Sequence, residues 1–79
     1  MDIRKITTSD SEILGGQPVF TDTRVPVESL FDHLEAGVSL DDFLEDFPTV
    51  TKHQAIAVLE AANRIVTSKN IAQLFVAVA

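Results

Sequence analysis

Ile13-Leu-Gly-Gly-Gln-Pro-Val-Phe-Thr-Asp-Thr-Arg-Val-Pro-Val27 is the stretch from which the rest of the chain is read. It places two glycines, two prolines and an arginine between short apolar runs. Gly15 and Gly16 permit backbone angles closed to other residues, while Pro18 and Pro26 fix φ and remove donors. Thr21-Asp22-Thr23 is a turn signal, because Asp and Thr side chains bond nearby backbone groups. Val19-Phe20 and Arg24-Val25 therefore read as the arms of a small β-hairpin. A further strand is expected at Ile3-Arg4-Lys5-Ile6, followed by a polar loop over residues 7–12.

Downstream, the apolar period changes from two to that of a helix. Val27, Leu30, Phe31 and Leu34 form an i, i+3, i+4, i+7 stripe. Pro26 suits the first turn of that helix and Gly37 its C-terminal stop. Leu40, Phe43, Leu44 and Phe47 repeat the stripe, with Ser39 as N-cap, Asp41 and Asp42 at the positive end of the helix dipole, and Pro48 as terminator. A third helix opens at Thr51, with Gln54 as capping-box partner. Its stripe is Ala55, Val58, Leu59, Ala62, Ile65 and Val66, and it is expected to fray near Ser68-Lys69-Asn70. The links, Gly37-Val38 and Pro48-Thr49-Val50, are short enough to make neighbouring helices cross over one core.

The fold expected is mainly α. It is a tri-helical helix-turn-helix core with a small N-terminal β-hairpin that caps it or pairs with a second copy. Residues 1–79 make one domain: a strand and hairpin over 3–27, the three-helix core over 27–69 and an apolar C-terminal tail over 70–79. Leu30, Phe31, Leu34, Phe43, Leu44, Phe47, Leu59 and Ala62 are the expected core.

With 79 residues and no cysteine, disulfides and thiolate metal sites are excluded. The polar first dozen residues and the short apolar runs point to a cytoplasmic protein without leader or membrane span. Charge is unevenly spread. Residues 25–50 carry seven acids (Glu28, Asp32, Glu35, Asp41, Asp42, Glu45, Asp46) and no lysine or arginine. Such a stretch repels phosphate, so any contact with DNA falls to the ends of the chain.

Lys52 and His53 open the third helix with the wrong sign for its dipole, which suits phosphate contact; Gln54 could read an adenine edge or simply cap the helix. Arg4, Lys5 and Arg24 complete the candidate DNA contacts. Arg24 could instead bond Asp22 or loop carbonyls and fix the turn, which is the reading favoured here. Ser29, Asp32 and His33 resemble a catalytic set only on paper, since neighbours on one exposed helix rarely converge; His33 reads as a surface residue and no catalytic residue is assigned. Two histidines without ligand spacing assign no metal, and Gly15, Gly16 and Pro18 without a following lysine assign no nucleotide or other cofactor. The tail, with Ile71, Leu74, Phe75 and Val78 at helical spacing, suits its own core, a second copy or a partner groove. Its state, helix or strand, is left open by its valines.

The run from Ile13 to Val27, with Gly37-Val38-Ser39 and Asp46-Phe47-Pro48, resembles the domain-of-unknown-function four-three-three family of small prokaryotic proteins. The pattern there looks like Gly-Gly-x-Pro-x-[apolar]-x-Gly-Thr-Arg-[apolar]-Pro-Val, then Gly-x-Ser and Tyr/Phe-Pro. The chain matches at Gly15, Gly16, Pro18, Thr23, Arg24, Pro26, Val27, Gly37, Ser39, Phe47 and Pro48, over roughly residues 3–67. It departs at Asp22, where glycine is usual; Asp tolerates a left-handed turn, so the hairpin is expected to survive. The resemblance implies a homeodomain- or winged-helix-like helical fold and the role of antitoxin in a type II toxin–antitoxin pair, neutralising a PIN-like ribonuclease toxin. It also implies a homodimer that could bind its own operator DNA. On that reading Glu28, Asp32 and Glu35, with the tail, would meet the toxin. The alternative is a structural or protein-interaction module that does not bind DNA.

Overall fold

A computed structural model describes residues 3–12 and 14–68. A single helical turn, α1 (Ile3–Ile6), leads into a two-residue strand, β1 (Thr7–Thr8). A 3-10 turn over Leu14–Gly16 precedes the second strand, β2 (Val19–Phe20), and three helices follow: α2 (Val27–Glu35), α3 (Leu40–Asp46) and α4 (Lys52–Thr67). The architecture is therefore mainly α, three helices with a two-stranded antiparallel sheet near the N-terminus, as the sequence pattern predicts.

The strand assignments shift by a few residues. Residues 3–6, expected as a strand, form the helical turn, and the strand lies in Thr7–Thr8, read from composition as loop. Register explains the shift. Thr7 pairs with Phe20 and Thr8 with Val19, while the Thr21 N–H donates to the Ile6 carbonyl at 2.9 Å. Ile6 is thereby fixed as a buried residue, and the β-branched threonines suit an extended pair. The second arm of the expected hairpin does not form a strand either. Phe20 donates to the Val25 carbonyl at 3.0 Å and Val19 bridges to Pro26, but Pro26 has no N–H with which to continue a ladder. The connecting turn holds Asp22 at φ +64°, the left-handed geometry that its place in a glycine position implies.

Helix ends follow local chemistry closely. Pro26, expected inside the first turn of α2, is its N-cap, extended at φ −62° and ψ 138° with no side-chain cap. At the other end Gly37 takes φ +86° and donates to Leu34, and Val38 donates to His33, the paired bonds of a Schellman stop. Ser39 Oγ accepts from the Asp42 N–H at 3.1 Å and caps α3. Thr51 and Gln54 form the full capping box of α4: Gln54 N–H donates to Thr51 Oγ1 and Thr51 N–H to Gln54 Oε1.

Phe20, Leu30 and Phe43 are completely buried, each from a different element, and Ile6, Val50, Ala55, Ala57 and Val58 close around them. Phe31, Leu34, Leu44, Phe47 and Leu59 from the expected core pack against this cluster but stay half-buried. Ala62 is half-buried too. The hairpin supplies Phe20 to the centre of the helices, with ring centroids of Phe20 and Phe43 6.5 Å apart. The α4 stripe is buried only in its first half. Leu59 and Ala62 are half-buried, and Ile65 and Val66 beyond them are more than half exposed.

Truncating Phe43 to alanine is expected to cost about 3–5 kcal/mol in a urea melt. Leu44→Ala, at a half-buried position, is expected to cost about 1–2 kcal/mol. Equal losses at the two positions would contradict this core.

Candidate functional site

The basic residues named by the sequence lie on segments that hydrogen bonds tie together. Thr21 donates its N–H to Ile6, and its carbonyl accepts from Gln54 Nε2 at 3.0 Å, a bond spanning 33 residues. Lys5 precedes the first of these anchors, Arg24 follows the turn, and Lys52 and His53 precede Gln54 at the start of α4. Lys5, Arg24, Lys52 and His53 are all exposed. Arg4 belongs to α1.

Gln54 is differently placed. Its Oε1 closes the capping box and its Nε2 holds the turn. Reading an adenine edge would require breaking both bonds, so the capping alternative is the one its geometry supports. This tie was hidden from sequence reasoning, because nothing local relates Gln54 to a carbonyl 33 residues earlier.

Arg24 departs from its favoured reading. Among the described residues its side chain bonds neither Asp22 nor a carbonyl. Thr23 fixes the turn instead: its hydroxyl donates to the Phe20 carbonyl at 2.8 Å and accepts from the Val25 N–H at 3.0 Å. Thr8 and Thr21 add a hydroxyl contact at 3.1 Å across the strand pair. The guanidinium is left without a hydrogen-bonded or ionic partner among the described residues.

His33 is not a surface residue. Half-buried, it sets its ring edge against Phe43 and Phe47, with centroids 5.3 and 5.4 Å away, and its Nδ1–H donates to the Ser29 carbonyl at 2.6 Å. Because it bonds the backbone oxygen of Ser29, the paper arrangement of Ser29, Asp32 and His33 does not assemble as a nucleophile–base pair. Among the described residues no group of three His, Asp or Glu side chains converges as a metal site.

The acids form the second feature. Glu28, Asp32 and Glu35 follow one another at i, i+4 and i+7 on α2, and Asp42 and Glu45 stand three apart on α3, which packs against it. All seven acids between residues 25 and 50 are exposed, and none pairs with a basic described residue. Like charges one turn apart cost a helix about 0.2–0.5 kcal/mol per pair, so this face carries a small uncompensated repulsion. Among the described residues the ion pair is Arg64 with Glu60, 3.0 Å apart on α4. The tail residues Ile71, Leu74, Phe75 and Val78 lie outside the described residues. No described helix is long and apolar enough to cross a membrane.

Replacing Gln54 separates its two roles. Gln54→Ala is expected to cost about 1–2 kcal/mol through loss of cap and tie together, whereas Gln54→Glu keeps the acceptor of the box and loses only the Nε2 donor. Urea melts in which the two variants lose equal stability would show that the box contributes nothing.

Comparison with known proteins gives one curated relative, "Uncharacterized protein y4eO" of Sinorhizobium fredii (strain NBRC 101917 / NGR234), 45% identical over 47 residues. The aligned stretch is 60% of this chain but 21% of that protein, so the chain spans about a fifth of the relative's length. No solved structure matches. The model of the family described as "Protein of unknown function (DUF433)" matches residues 7–61, from β1 through most of α4, and the chain belongs to that family.

Proposed function

We propose that this protein is the antitoxin of a type II toxin–antitoxin pair, acting as a small interaction domain that occupies the RNA-binding cleft of a PIN-like ribonuclease. The observation that carries the reading is the exposed acids of α2 and α3, seven carboxylates without an ion-pair partner among the described residues. A nuclease cleft is lined with cations that hold phosphates. A carboxylate strip on a rigid helix pair offers those cations substitutes and steers the encounter over distance. The repulsion within the strip is relieved when such a partner binds. The relative of which this stretch forms about a fifth fits a domain that works joined to, or beside, another protein part.

A second activity, binding of operator DNA, is favoured by the hydrogen bonds that hold the segments of Lys5, Lys52 and His53 together through Thr21. Exposed cations at the opening of a helix that follows a tight turn suit phosphate contact, and a homodimer would present two such ends. Phosphate contacts position a protein without specifying sequence, so base readout belongs to residues other than Gln54. The protein-interaction module without DNA binding is the remaining reading, and one titration separates them.

Two measurements test these proposals. Co-expression with a PIN-like ribonuclease from a neighbouring gene should give a complex that suppresses RNA cleavage. The triple change Glu28→Lys, Asp32→Lys and Glu35→Lys should slow association at least tenfold at low salt while leaving the fold intact. A nuclease that is neither bound nor inhibited by the wild-type chain would end the antitoxin reading. For DNA, a fragment of the gene's own promoter should bind with a salt slope that Lys52→Ala lowers by about one. No binding at low salt, with or without the nuclease, leaves the interaction module alone.

A further inference from the structure

Beside the turn lies an open groove of about 740 Å³. Val19, Val25, Pro26 and Phe47 give its lining a largely apolar surface, and Thr8, Thr21, Asp22, Thr23 and Thr49 add hydroxyls and one carboxylate. Arg24 lines it, exposed and without a hydrogen-bonded or ionic partner among the described residues. We propose that this groove is a peptide-binding site, taking an extended segment that sets one carboxylate on the Arg24 guanidinium and an adjacent apolar side chain on Pro26 and Phe47. The proposal goes beyond the antitoxin reading, which uses the opposite charge on α2 and α3, and it is tested without a nuclease.

The chemistry of the lining selects that ligand. A guanidinium offers two parallel N–H donors in the spacing of a carboxylate, and it gains strength beside apolar surface that excludes water. The backbone N–H groups of Asp22 and Arg24 are also unbonded among the described residues, which leaves further donors in the same loop. A nucleic-acid strand would present repeated phosphates to a lining that holds one cation and one acid, Asp22. A single carboxylate flanked by apolar side chains matches one guanidinium over an apolar floor. Asp22 lines the same groove, so its carboxylate repels the ligand and lowers its affinity.

The test uses the full chain, labelled with nitrogen-15, and two blocked tripeptides: acetyl-Leu-Glu-Val-amide and its acetyl-Leu-Gln-Val-amide counterpart. The Glu peptide should shift the amides of Thr8, Asp22, Thr23, Arg24 and Thr49 in a saturable manner. The Gln peptide should bind the wild-type protein roughly tenfold more weakly, a comparison that needs no variant to fold. Arg24→Gln, checked by its melting temperature, should weaken the Glu peptide by a similar factor. Asp22→Asn, which keeps a residue tolerant of positive φ and removes the like charge, should tighten it about two- to fivefold. Equal shifts from the two peptides, or none at several millimolar, would overturn the proposal. So would inorganic phosphate or a short DNA duplex moving the same amides at lower concentration, since the groove would then be a phosphate site. The same shifts arising from self-association, seen on dilution without peptide, would assign it to a second copy and overturn it too.

Discussion

The contact of Phe20 with Phe43 is the constraint on which the rest of the molecule depends. β2 is two residues long, and a strand of that length has no independent stability. It persists because Phe20 is completely buried at the meeting point of α2, α3 and α4, where burying such a ring is worth about 1.5–3 kcal/mol. With the ring fixed, the polar groups around it must find partners in place. Phe20 N–H reaches Val25, Thr21 N–H reaches Ile6, and the Thr21 carbonyl takes the Gln54 amide. The loop is thereby part of the core rather than an ornament on three helices.

Charge separation follows from that arrangement. The segments drawn in around Phe20 and Thr21 are those that bear Lys5, Arg24, Lys52 and His53, whereas the acids belong to the helices that pack Leu30 and Phe43 inward and turn their other faces to solvent. The apolar stripes of α2 and α3 fix which carboxylates point out. A net charge of −6 thus conceals exposed cations on the segments around Phe20 and Thr21 and exposed acids on α2 and α3. A free Arg24 beside an apolar groove is a third feature, made when Thr23 takes over the turn-fixing role assigned to the arginine.

Signals that act within a helical turn were legible before the structure. The Thr51–Gln54 box, the Ser39 cap and the Gly37 stop all depend on residues at most a few positions apart, and the left-handed Asp22 followed from the family resemblance. What could not be read depends on distant pairing. The identity of the strand opposite Val19–Phe20 turns on whether Ile6 or its neighbours face the core, and four residues of Ile-Arg-Lys-Ile fit a helical turn and a strand alike. Periodicity placed Ile65 and Val66 on the buried stripe, but it cannot say where the covering elements end. His33 carries no sequence mark of its seat between Phe43 and Phe47, which lie ten and fourteen residues further on. For the candidate site, the exposed acids and cations were legible from charge alone. The tie through Gln54 was not, because it arises from the loop docking on α4, nor was the free Arg24, because Thr23 makes the turn's bonds in its place.

Native-state hydrogen exchange of the Phe20 and Thr21 amides tests the central claim most directly. If the loop is integral to the core, these amides exchange only through the same global opening that exposes Phe43, Ala55 and Val58, with the same denaturant dependence. Exchange of Phe20 and Thr21 through a local opening, while the amides of α3 and α4 remain protected, would contradict it.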